Sequence, residues 1–421
     1  MTPNPNPNMP IQLLHFADLH LGVENYGRVN PATGLNSRFE DFAHTLDSVV
    51  STAIDRGVHL VVFAGDAYKN RDPSPTHQRT FAAALRRLSA AGIPTLVLVG
   101  NHDIPNTRGR AHAVEVFRVL EVPHVIVADR PDLHHIETPA GEVQVLALPY
   151  RRPSAPIERE EDLRGKPQSE IAEHIARTYR EQLEMMAGRL NPDLPTVLAA
   201  HLYVGGAEIS SERSMMLGDE PAVSLSTLTN PDLHLDYVAL GHVHKFQNMN
   251  RGGYPPVIYS GSLERVDFGE EKDEKGFVLV RLVRDHTTYE FVPVKARRFV
   301  TVECDLSGED PMDQLEAAVQ AASIDGAIVR LRYTIPEDKK TAFSGGELNR
   351  LLSKAFCVGR VEREVTRPGI RQRDPHLTDS IDALGALDRY LSIKPPQVDA
   401  AEVREYGRAL IQELQKREQA L

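Results

Sequence analysis

Short apolar segments that each lead into a polar cluster constrain the fold of this chain most strongly. Between the first three of them, near 37–57 and 76–91, apolar residues recur at helical spacing. The three segments and the polar residues that follow or end them are IQLLHF (11–16) with Asp18 and His20, HLVVFAGD with Asp66, and PTLVLVGNHD with Asn101 and His102. Alternation of strand and helix predicts an α/β fold, in which chemistry gathers at the carboxyl ends of the strands.

Four further apolar segments predict more strands before about residue 295. They are VQVLALPY, TVLAAHLY with His201 near its end, LDYVALGHVH, and PPVIYSGS. A charged segment at about 169–190, between the first two, is expected to be helical. We therefore predict a central sheet wrapped by helices, in a domain that spans 11–295 after a disordered tail at 1–10.

A second, smaller unit is predicted at 296–368. The segments RFVTVECDL, AIVRLRYT and VGRVEREV are typical of strands, and helices are expected between them near 312–322 and 346–356. This order predicts a β-α-β-α-β domain. A linker that contains Arg and Pro follows at 369–378.

Two helices are predicted in the C-terminal segment 379–421, at about 380–392 and 399–421, with Pro395 and Pro396 between them. Each has an apolar stripe, formed by Ile381, Leu384 and Leu391 in the first and by Val403, Tyr406, Leu410 and Leu414 in the second. Amphipathic helices after a linker either complete a core or bind a partner.

Composition limits the kinds of metal site and of partner that this chain can have. Two cysteines are too few for a thiolate metal site, so a metal here must be held by imidazole and carboxylate, and the cytoplasm is the expected compartment. No run approaches the roughly 20 apolar residues of a membrane span, so no membrane contact is expected. The net charge of −11 argues against binding nucleic acid by bulk electrostatics. A nucleic-acid enzyme is not excluded, because bound divalent ions or a partner can supply positive charge.

Five separated segments predict a dinuclear metal site. In chain order they supply Asp18 and His20, then Asp66, then Asn101, His102 and Asp103, then His201, and then His242 and His244. Such nitrogen and oxygen ligands suit Mn²⁺, Fe or Zn²⁺ better than Ca²⁺. Two ions about 4 Å apart clamp a phosphate and lower the pKa of a bound water. The pattern therefore predicts hydrolysis of a phosphoester without a serine or cysteine nucleophile.

Two details of this pattern depend on single residues. Asp66 can bridge two ions through its two carboxylate oxygens. Asp103 either accepts a hydrogen bond from the His102 imidazole and orients it, or caps the following turn, and we favour the orienting role. Other histidines stand in no ligand pattern and are expected to be structural or exposed, among them His15, His59, His124, His134, His135 and His234.

At these residues the chain resembles the calcineurin-like metallophosphoesterases and, more closely, the nuclease subunits of bacterial SbcCD complexes, counterparts of the eukaryotic double-strand-break repair nuclease. The closer match rests on HFADLHLG, GNHDIPN, and YSGSLERVDFGEEKDEKGFVLV at 259–280. The last of these segments separates such nucleases from generic phosphatases. The resemblance implies a metallophosphoesterase β-sandwich flanked by helices, a small α+β capping domain and a C-terminal helical pair.

The resemblance also implies a role for each site residue. One ion would be held by Asp18, His20, Asp66 and His244, and the other by Asp66, Asn101, His201 and His242. Mn²⁺ would be the usual activator, with Mg²⁺, Fe or Zn²⁺ as alternatives. His102 would contact the scissile phosphate and assist departure of the sugar oxygen. At one position the chain departs from some relatives, which have histidine where Lys69 stands, and this puts the details of substrate positioning there in doubt.

The partners implied by the resemblance are DNA, an ATPase and a second copy of the chain. The capping domain would orient DNA beside the metal cleft, and the terminal helices would dock on the coiled-coil base of an SbcC-type ATPase. The helices near 37–57 and 76–91 are candidate dimer faces by analogy. Such complexes degrade duplex ends, open hairpins and cut single strands.

Two other functions stay open on the sequence alone. A small-molecule phosphodiesterase of the same fold would use the same metal ligands, although the additional domain, the terminal helices and the 259–280 segment favour the nuclease. A catalytically silent scaffold protein is disfavoured, because the ligand set is complete and His102 is present.

Overall fold

The computed structural model describes residues 10–105, 109–151, 166–210, 221–366, 387, 391 and 400–418. The strands of this part are β1 (Ile11–Phe16), β2 (Leu60–Phe63), β3 (Thr95–Leu98), β4 (Val125–Ala128), β5 (Asp132–Thr138), β6 (Gly141–Leu148), β7 (Thr196–His201), β8 (Tyr203–Val204), β9 (Ala222–Val223), β10 (Tyr237–Gly241), β11 (Gln247–Asn248), β12 (Val257–Tyr259), β13 (Gly276–Leu282), β14 (Thr288–Pro293), β15 (Phe299–Asp305), β16 (Ile328–Pro336) and β17 (Cys357–Thr366). Its α-helices are α1 (Ser37–Asp55), α2 (Pro75–Ala90), α3 (Glu115–Val119), α4 (Gln168–Ala187), α5 (Leu225–Leu228), α6 (Pro311–Ala322), α7 (Gly345–Leu351) and α8 (Ala400–Glu418).

Two six-stranded sheets form the larger part of the molecule. Their strand orders are β14-β13-β1-β2-β3-β4 and β11-β12-β10-β7-β6-β5. In the first sheet β1 to β4 run parallel, and in the second β12, β10, β7 and β6 run parallel. The carboxyl ends of the parallel strands therefore meet at one edge of each sheet, where an α/β fold builds its sites.

The two sheets pack face to face. Leu13 of β1 and Val62 of β2 share one buried cluster with Val145 of β6 and Ala199 of β7. The neighbouring Leu14 lies in a different cluster, on the opposite face, because successive side chains of a strand point to opposite sides. The expectation of a single central sheet is therefore wrong, and the β-sandwich implied by the family resemblance is confirmed. A strand buried on both faces has the same unbroken apolar sequence whether a helix or a second sheet covers it.

Helices cover the two outer faces of the sandwich. On the first sheet, Leu46 of α1 and Leu85 of α2 pack with Phe63. On the second sheet, Ile175 and Leu183 of α4 pack in the same way. Burial of an aliphatic side chain of this size contributes about 1.5–3 kcal/mol, so these amphipathic faces hold the helices to the sheets.

Five strands of the sandwich are not among those predicted, namely β4, β5, β11, β13 and β14. The β13 strand pairs antiparallel with both β1 and β14, so it lies beside the strand that leads to Asp18. Each residue of β14 is at least partly exposed, and such an edge strand lacks the continuous apolar run on which the sequence analysis relied.

A third sheet contains three parallel strands in the order β15-β16-β17. Helices α6 and α7 connect them, and Leu315, Leu331 and Leu352 form part of their shared core. The order of elements agrees with the predicted β-α-β-α-β unit, although α7 ends at Leu351, earlier than expected. The limits of this unit as a domain, and its role with DNA, stay predictions.

The C-terminal segment is described only in part. Helix α8 corresponds to the second predicted helix. In its predicted stripe Val403 is half-buried, while Tyr406 and Leu410 are 70% and 47% exposed. Leu391 is buried. Ile381, Leu384 and the side chain of Leu414 lie outside the described residues. Among the helices described, none has the length and apolar character to cross a membrane.

Candidate metal centre

The predicted ligands lie at the carboxyl ends of strands from both sheets. Asp18 and His20 follow β1, Asp66 follows β2, and Asn101 follows β3. His201 ends β7, and His242 and His244 follow β10. Because the two sheets pack face to face, these loops converge at one end of the sandwich. The structure therefore brings together all seven predicted metal ligands.

The backbone at this site is held in an unusual conformation. Asp18, His20, Asp66 and His242 have φ angles of 51°, 46°, 61° and 98°, in the left-handed region that side chains other than glycine seldom adopt. Each such residue costs of the order of 1–3 kcal/mol and persists where its surroundings fix it, which is common at functional sites. Gly100 leaves room for the Asp66 side chain, because a Cβ at this position would fall onto the Asp66 carboxylate.

One group of ligands consists of Asp18, His20 and His244. One potential ligand atom from each residue lies within 4.8 Å of the other two, and all three residues are buried. The Nε2 atoms of His20 and His244 lie 2.9 Å apart. The Asp18 carboxylate is fixed by the main-chain N–H of His242, which donates to its two oxygens at 2.9 and 3.1 Å.

A second group surrounds Asn101. Its Oδ1 atom lies 2.9 Å from His201 Nε2 and 3.0 Å from His242 Nδ1. Asp66 lies between the two groups, with Oδ2 3.5 Å from His201 Nε2 and 3.7 Å from His20 Nε2. The position of Asp66 suits a carboxylate shared by two ions.

The outer nitrogens of two of the imidazole rings are bonded to protein oxygen atoms. His201 Nδ1 lies 2.7 Å from the carbonyl oxygen of Ala64, and His244 Nδ1 lies 2.8 Å from Glu270 Oε1. A ring that donates from Nδ1 keeps the lone pair of Nε2 for the site. This is the arrangement usual for histidines that bind metals in proteins.

The electrostatics of the site also fit a cation. Burial raises the pKa of Asp18. Burial acts in the same direction on Asp66, but the charges of His201, His102 and His20 outweigh it and hold the pKa of Asp66 well below its usual range. Although burial opposes it, the Asp66 and Asp18 carboxylates raise the pKa of His201 to about 9. Buried carboxylates thus draw positive charge to this point, and divalent cations would provide it with donors of the right type.

His102 lies beside these two groups and is more exposed than the other site histidines. Its ring centroid is 4.8 Å from that of His20, and its Nδ1 lies 2.7 Å from the carbonyl oxygen of Lys69. Its main-chain N–H donates to Asp66 Oδ1 at 2.8 Å. A ring nitrogen of His102 also lies within 4.8 Å of potential ligand atoms of His20 and Asp66, so the ring borders the metal centre.

Asp103 requires a correction. Its carboxylate accepts hydrogen bonds from the main-chain N–H groups of Asp66 (3.0 Å), Ala67 (3.1 Å) and Gly100 (2.9 Å). The oxygen that lies against the His102 ring belongs instead to Lys69. Asp103 therefore fixes the loops of Asp66 and Asn101 rather than the imidazole of His102. Burial and the nearby Asp66 charge raise the pKa of Asp103 to about 7.

Two residues at the site had no assigned role in the sequence analysis. Glu270 contacts the His244 ring, although it belongs to the 259–280 segment that was singled out only for its resemblance. Tyr150 stacks near His242, with ring centroids 6.1 Å apart. The signal for Tyr150 was its place at the end of a predicted strand, where the other site residues also lie.

A family model for calcineurin-like phosphoesterases matches residues 11–246, a range that contains all seven predicted ligands and His102. The chain belongs to the calcineurin-like phosphoesterase family. This membership and the geometry together define a metal-dependent hydrolase that acts on phosphodiester bonds.

Relatives within the family carry nuclease and repair names. The DNA double-strand break repair protein Mre11 of Haloferax volcanii is 25% identical over 400 residues, which are 93% of this chain and 76% of that protein. The SbcD subunit of the SbcCD nuclease of Bacillus subtilis is 31% identical over 274 residues, 64% of this chain and 66% of that protein. The protein of the same name from Escherichia coli K12 is 27% identical over 264 residues, 62% of each chain.

Proposed function

We propose that this protein is a Mn²⁺-dependent nuclease that hydrolyses phosphodiester bonds of DNA as a subunit of an SbcCD-type repair complex. The observation that carries the proposal is the convergence of seven oxygen and nitrogen ligands around Asp66, with His102 beside them. Similarity to proteins named as SbcCD nuclease subunits and as Mre11 over 62–93% of this chain supports DNA as the substrate.

In this proposal Asp18, His20, Asp66 and His244 would hold one ion, and Asp66, Asn101, His201 and His242 the other. Two such ions, when bound, would polarise the phosphate and provide an activated water for in-line attack. The residues of the chain hold the ligands in place. Asp103 and Gly100 keep Asp66 between the two groups, so that the ligand set is preformed.

His102 is the residue proposed to act on the substrate. Its Nδ1–H donates to the Lys69 carbonyl, so in the protonated imidazole Nε2–H would be left to donate to a phosphate oxygen or to give its proton to the departing sugar oxygen. Its greater exposure suits a residue that meets the substrate, whereas the carboxylates and imidazoles behind it are buried.

The partners remain part of the proposal. We assign the orientation of DNA to the three-stranded unit. We assign contact with an ATPase subunit to α8, on which Tyr406 and Leu410 are exposed. A homodimer would complete the assembly. Because the chain has a net charge of −11, its DNA affinity would come from the bound ions and the partner.

The test is cleavage of end-labelled duplex and single-stranded DNA by the purified chain with Mn²⁺, Mg²⁺ or EDTA, beside an Asp66→Ala variant. Cleavage that requires Mn²⁺ and disappears in the variant would support the nuclease. Turnover of bis-p-nitrophenyl phosphate without any DNA cleavage, even when an ATPase partner is added, would indicate a small-molecule phosphodiesterase instead.

A further inference from the structure

The segment that follows β12 buries several charged side chains close to the metal centre. Glu270 and Lys275 have fully buried side chains and form an ion pair at 2.9 Å. Charged groups are costly to bury, even as a pair, unless their remaining donors and acceptors are satisfied. The contacts of these two residues show what the buried charges hold in place.

The Glu270 carboxylate accepts from three directions. Oε1 lies 2.8 Å from Nδ1 of His244. Oε2 accepts from Lys275 Nζ at 2.9 Å and from the main-chain N–H of Val266 at 3.0 Å. A carboxylate held by Lys275 and Val266 cannot rotate freely, so the imidazole that donates to it is held in one orientation and one tautomer.

The same network holds the main chain of His244. Lys275 Nζ donates to the His244 carbonyl at 3.0 Å and to Ser262 Oγ at 2.9 Å. The N–H of Ser262 donates to the same carbonyl, also at 3.0 Å. Gly261 permits this approach, because a Cβ there would lie 2.8 Å from that oxygen. The ring and the carbonyl of His244 are thus fixed by one set of buried residues.

The turn that carries Glu270 is also attached to the three-stranded sheet. Phe268 packs edge-on against Phe299 of β15, with ring centroids 4.9 Å apart. The Glu271 carboxylate accepts from the main-chain N–H of Thr301 at 2.7 Å and from its hydroxyl. Arg330 of β16 lies over the Phe268 ring, 4.6 Å from its centroid. Residues on both sides of Glu270 therefore contact the smaller unit.

We propose that Glu270 is a positioning residue for His244, and that residues 268–271 tie this ligand to the three-stranded sheet. The proposal rests on the metal centre described under the proposed function. Glu270 holds the His244 ring with Nδ1–H directed away from the site and Nε2 directed towards His20. A shift of the sheet moves Phe268 and Glu271, and with them the carboxylate on which the ligand depends.

The experiment is a Mn²⁺ titration of the metal-free full chain by calorimetry, with melting temperature measured on the same samples. Glu270→Gln removes the charge, and Glu270→Asp keeps a carboxylate for Lys275 but withdraws it from the ring. Removal of such an outer partner weakens metal binding by roughly 10–100-fold, and we expect this loss for one of two ions in Glu270→Gln. We expect Glu270→Asp to fold and to bind the same ion more weakly than the wild type.

The matched control is Glu142→Gln. Glu142 Oε1 lies 2.6 Å from His135 Nδ1. This contact joins the same two groups as the Glu270–His244 contact, but it lies on the protein surface. We expect this variant to bind both ions as the wild type does.

If both Glu270 variants bind the two ions with the same affinity as the wild type, the positioning role is overturned. Failure of Glu270→Asp to fold would also overturn it, because Glu270 would then serve the fold rather than the ligand. A wild type that binds no metal would refute the proposed function instead. Phe268→Ala, which alters no predicted ligand, is expected to weaken the same ion several-fold, and unchanged affinity would overturn the link to the sheet.

Discussion

Replacement of His102 by alanine is expected to leave both ions bound and to stop cleavage. The main-chain N–H of this residue, which donates to Asp66 Oδ1 at 2.8 Å, is retained in the variant, so Asp66 keeps its position. What is lost is the imidazole and its hydrogen bond to the Lys69 carbonyl. Loss of one such bond costs about 1 kcal/mol of stability, too little to unfold a domain of this size.

The expected loss of rate is larger. A side chain that transfers a proton to a leaving group typically contributes about 10²–10⁴-fold. At 1.36 kcal/mol for each factor of ten, this is about 3–5 kcal/mol of the activation barrier. The DNA cleavage rate of His102→Ala should therefore fall by that factor while its metal content is unchanged.

The assay measures Mn²⁺ content and the rate of DNA cleavage on one preparation, and then repeats the rate with bis-p-nitrophenyl phosphate. The p-nitrophenolate group leaves without a proton, so the variant should lose less activity on this substrate if His102 is an acid. His112→Ala is the control, because this half-buried histidine faces Asp129 at 3.5 Å and belongs to neither ligand group.

Three results would contradict this reasoning. Loss of an ion from His102→Ala would show that the residue is a ligand, which its distance from His20 and Asp66 permits. Unchanged cleavage would show that the imidazole does not act on DNA. An equal loss on both substrates would exclude the proton-transfer role and leave contact with the phosphate.

Three further predictions concern other parts of the chain. Deletion of 376–421 should spare Mn²⁺-dependent cleavage of short single strands and abolish binding to an ATPase partner, and retained co-purification with that partner would contradict this. Gly100→Ala should lower Mn²⁺ affinity, since its Cβ meets the Asp66 carboxylate and main chain, whereas Gly345→Ala, which has open space around it, should not. Burial lowers the pKa of His15 from its ordinary value of 6.5 to about 3. At a pH below 6.5 the unfolded chain therefore binds more protons at this residue than the folded chain does. The free energy of unfolding should therefore fall as the pH decreases from 6.5 to 3, by up to roughly 5 kcal/mol, and urea denaturation of a His15→Leu variant should lack this component.

The metal ligands could be predicted because each stands in a short pattern at a strand end. Asp18 and His20 follow the run IQLLHF directly, and His242 and His244 close another apolar run. Parallel strands bring such ends together, so separation along the chain matters little. His15 shows the limit of residue type alone, since it is buried within β1 and its Nδ1 lies 3.0 Å from the Tyr237 hydroxyl.

What the sequence did not reveal depends on the direction of side chains. Asp103 and His102 are adjacent, yet the Asp103 carboxylate accepts from the main-chain N–H groups of Asp66 and Ala67 rather than from the His102 ring. Glu270 is 26 residues from His244, and its role depends on a turn held by Lys275. The division of the strands between two sheets could not be predicted either. Leu13 and Leu14 lie on opposite faces of β1, and an apolar residue is expected on each face whether a helix or a second sheet covers it.

Whether Asp66 is shared by two ions can be tested by titrating Mn²⁺ into metal-free protein, with bound metal and DNA cleavage followed together. We expect two ions per chain and a cleavage rate that rises as the second ion binds, with neither two-ion binding nor cleavage in Asp66→Ala. Full cleavage with one ion per chain, or cleavage that survives in Asp66→Ala, would contradict a mechanism in which Asp66 is shared by two ions.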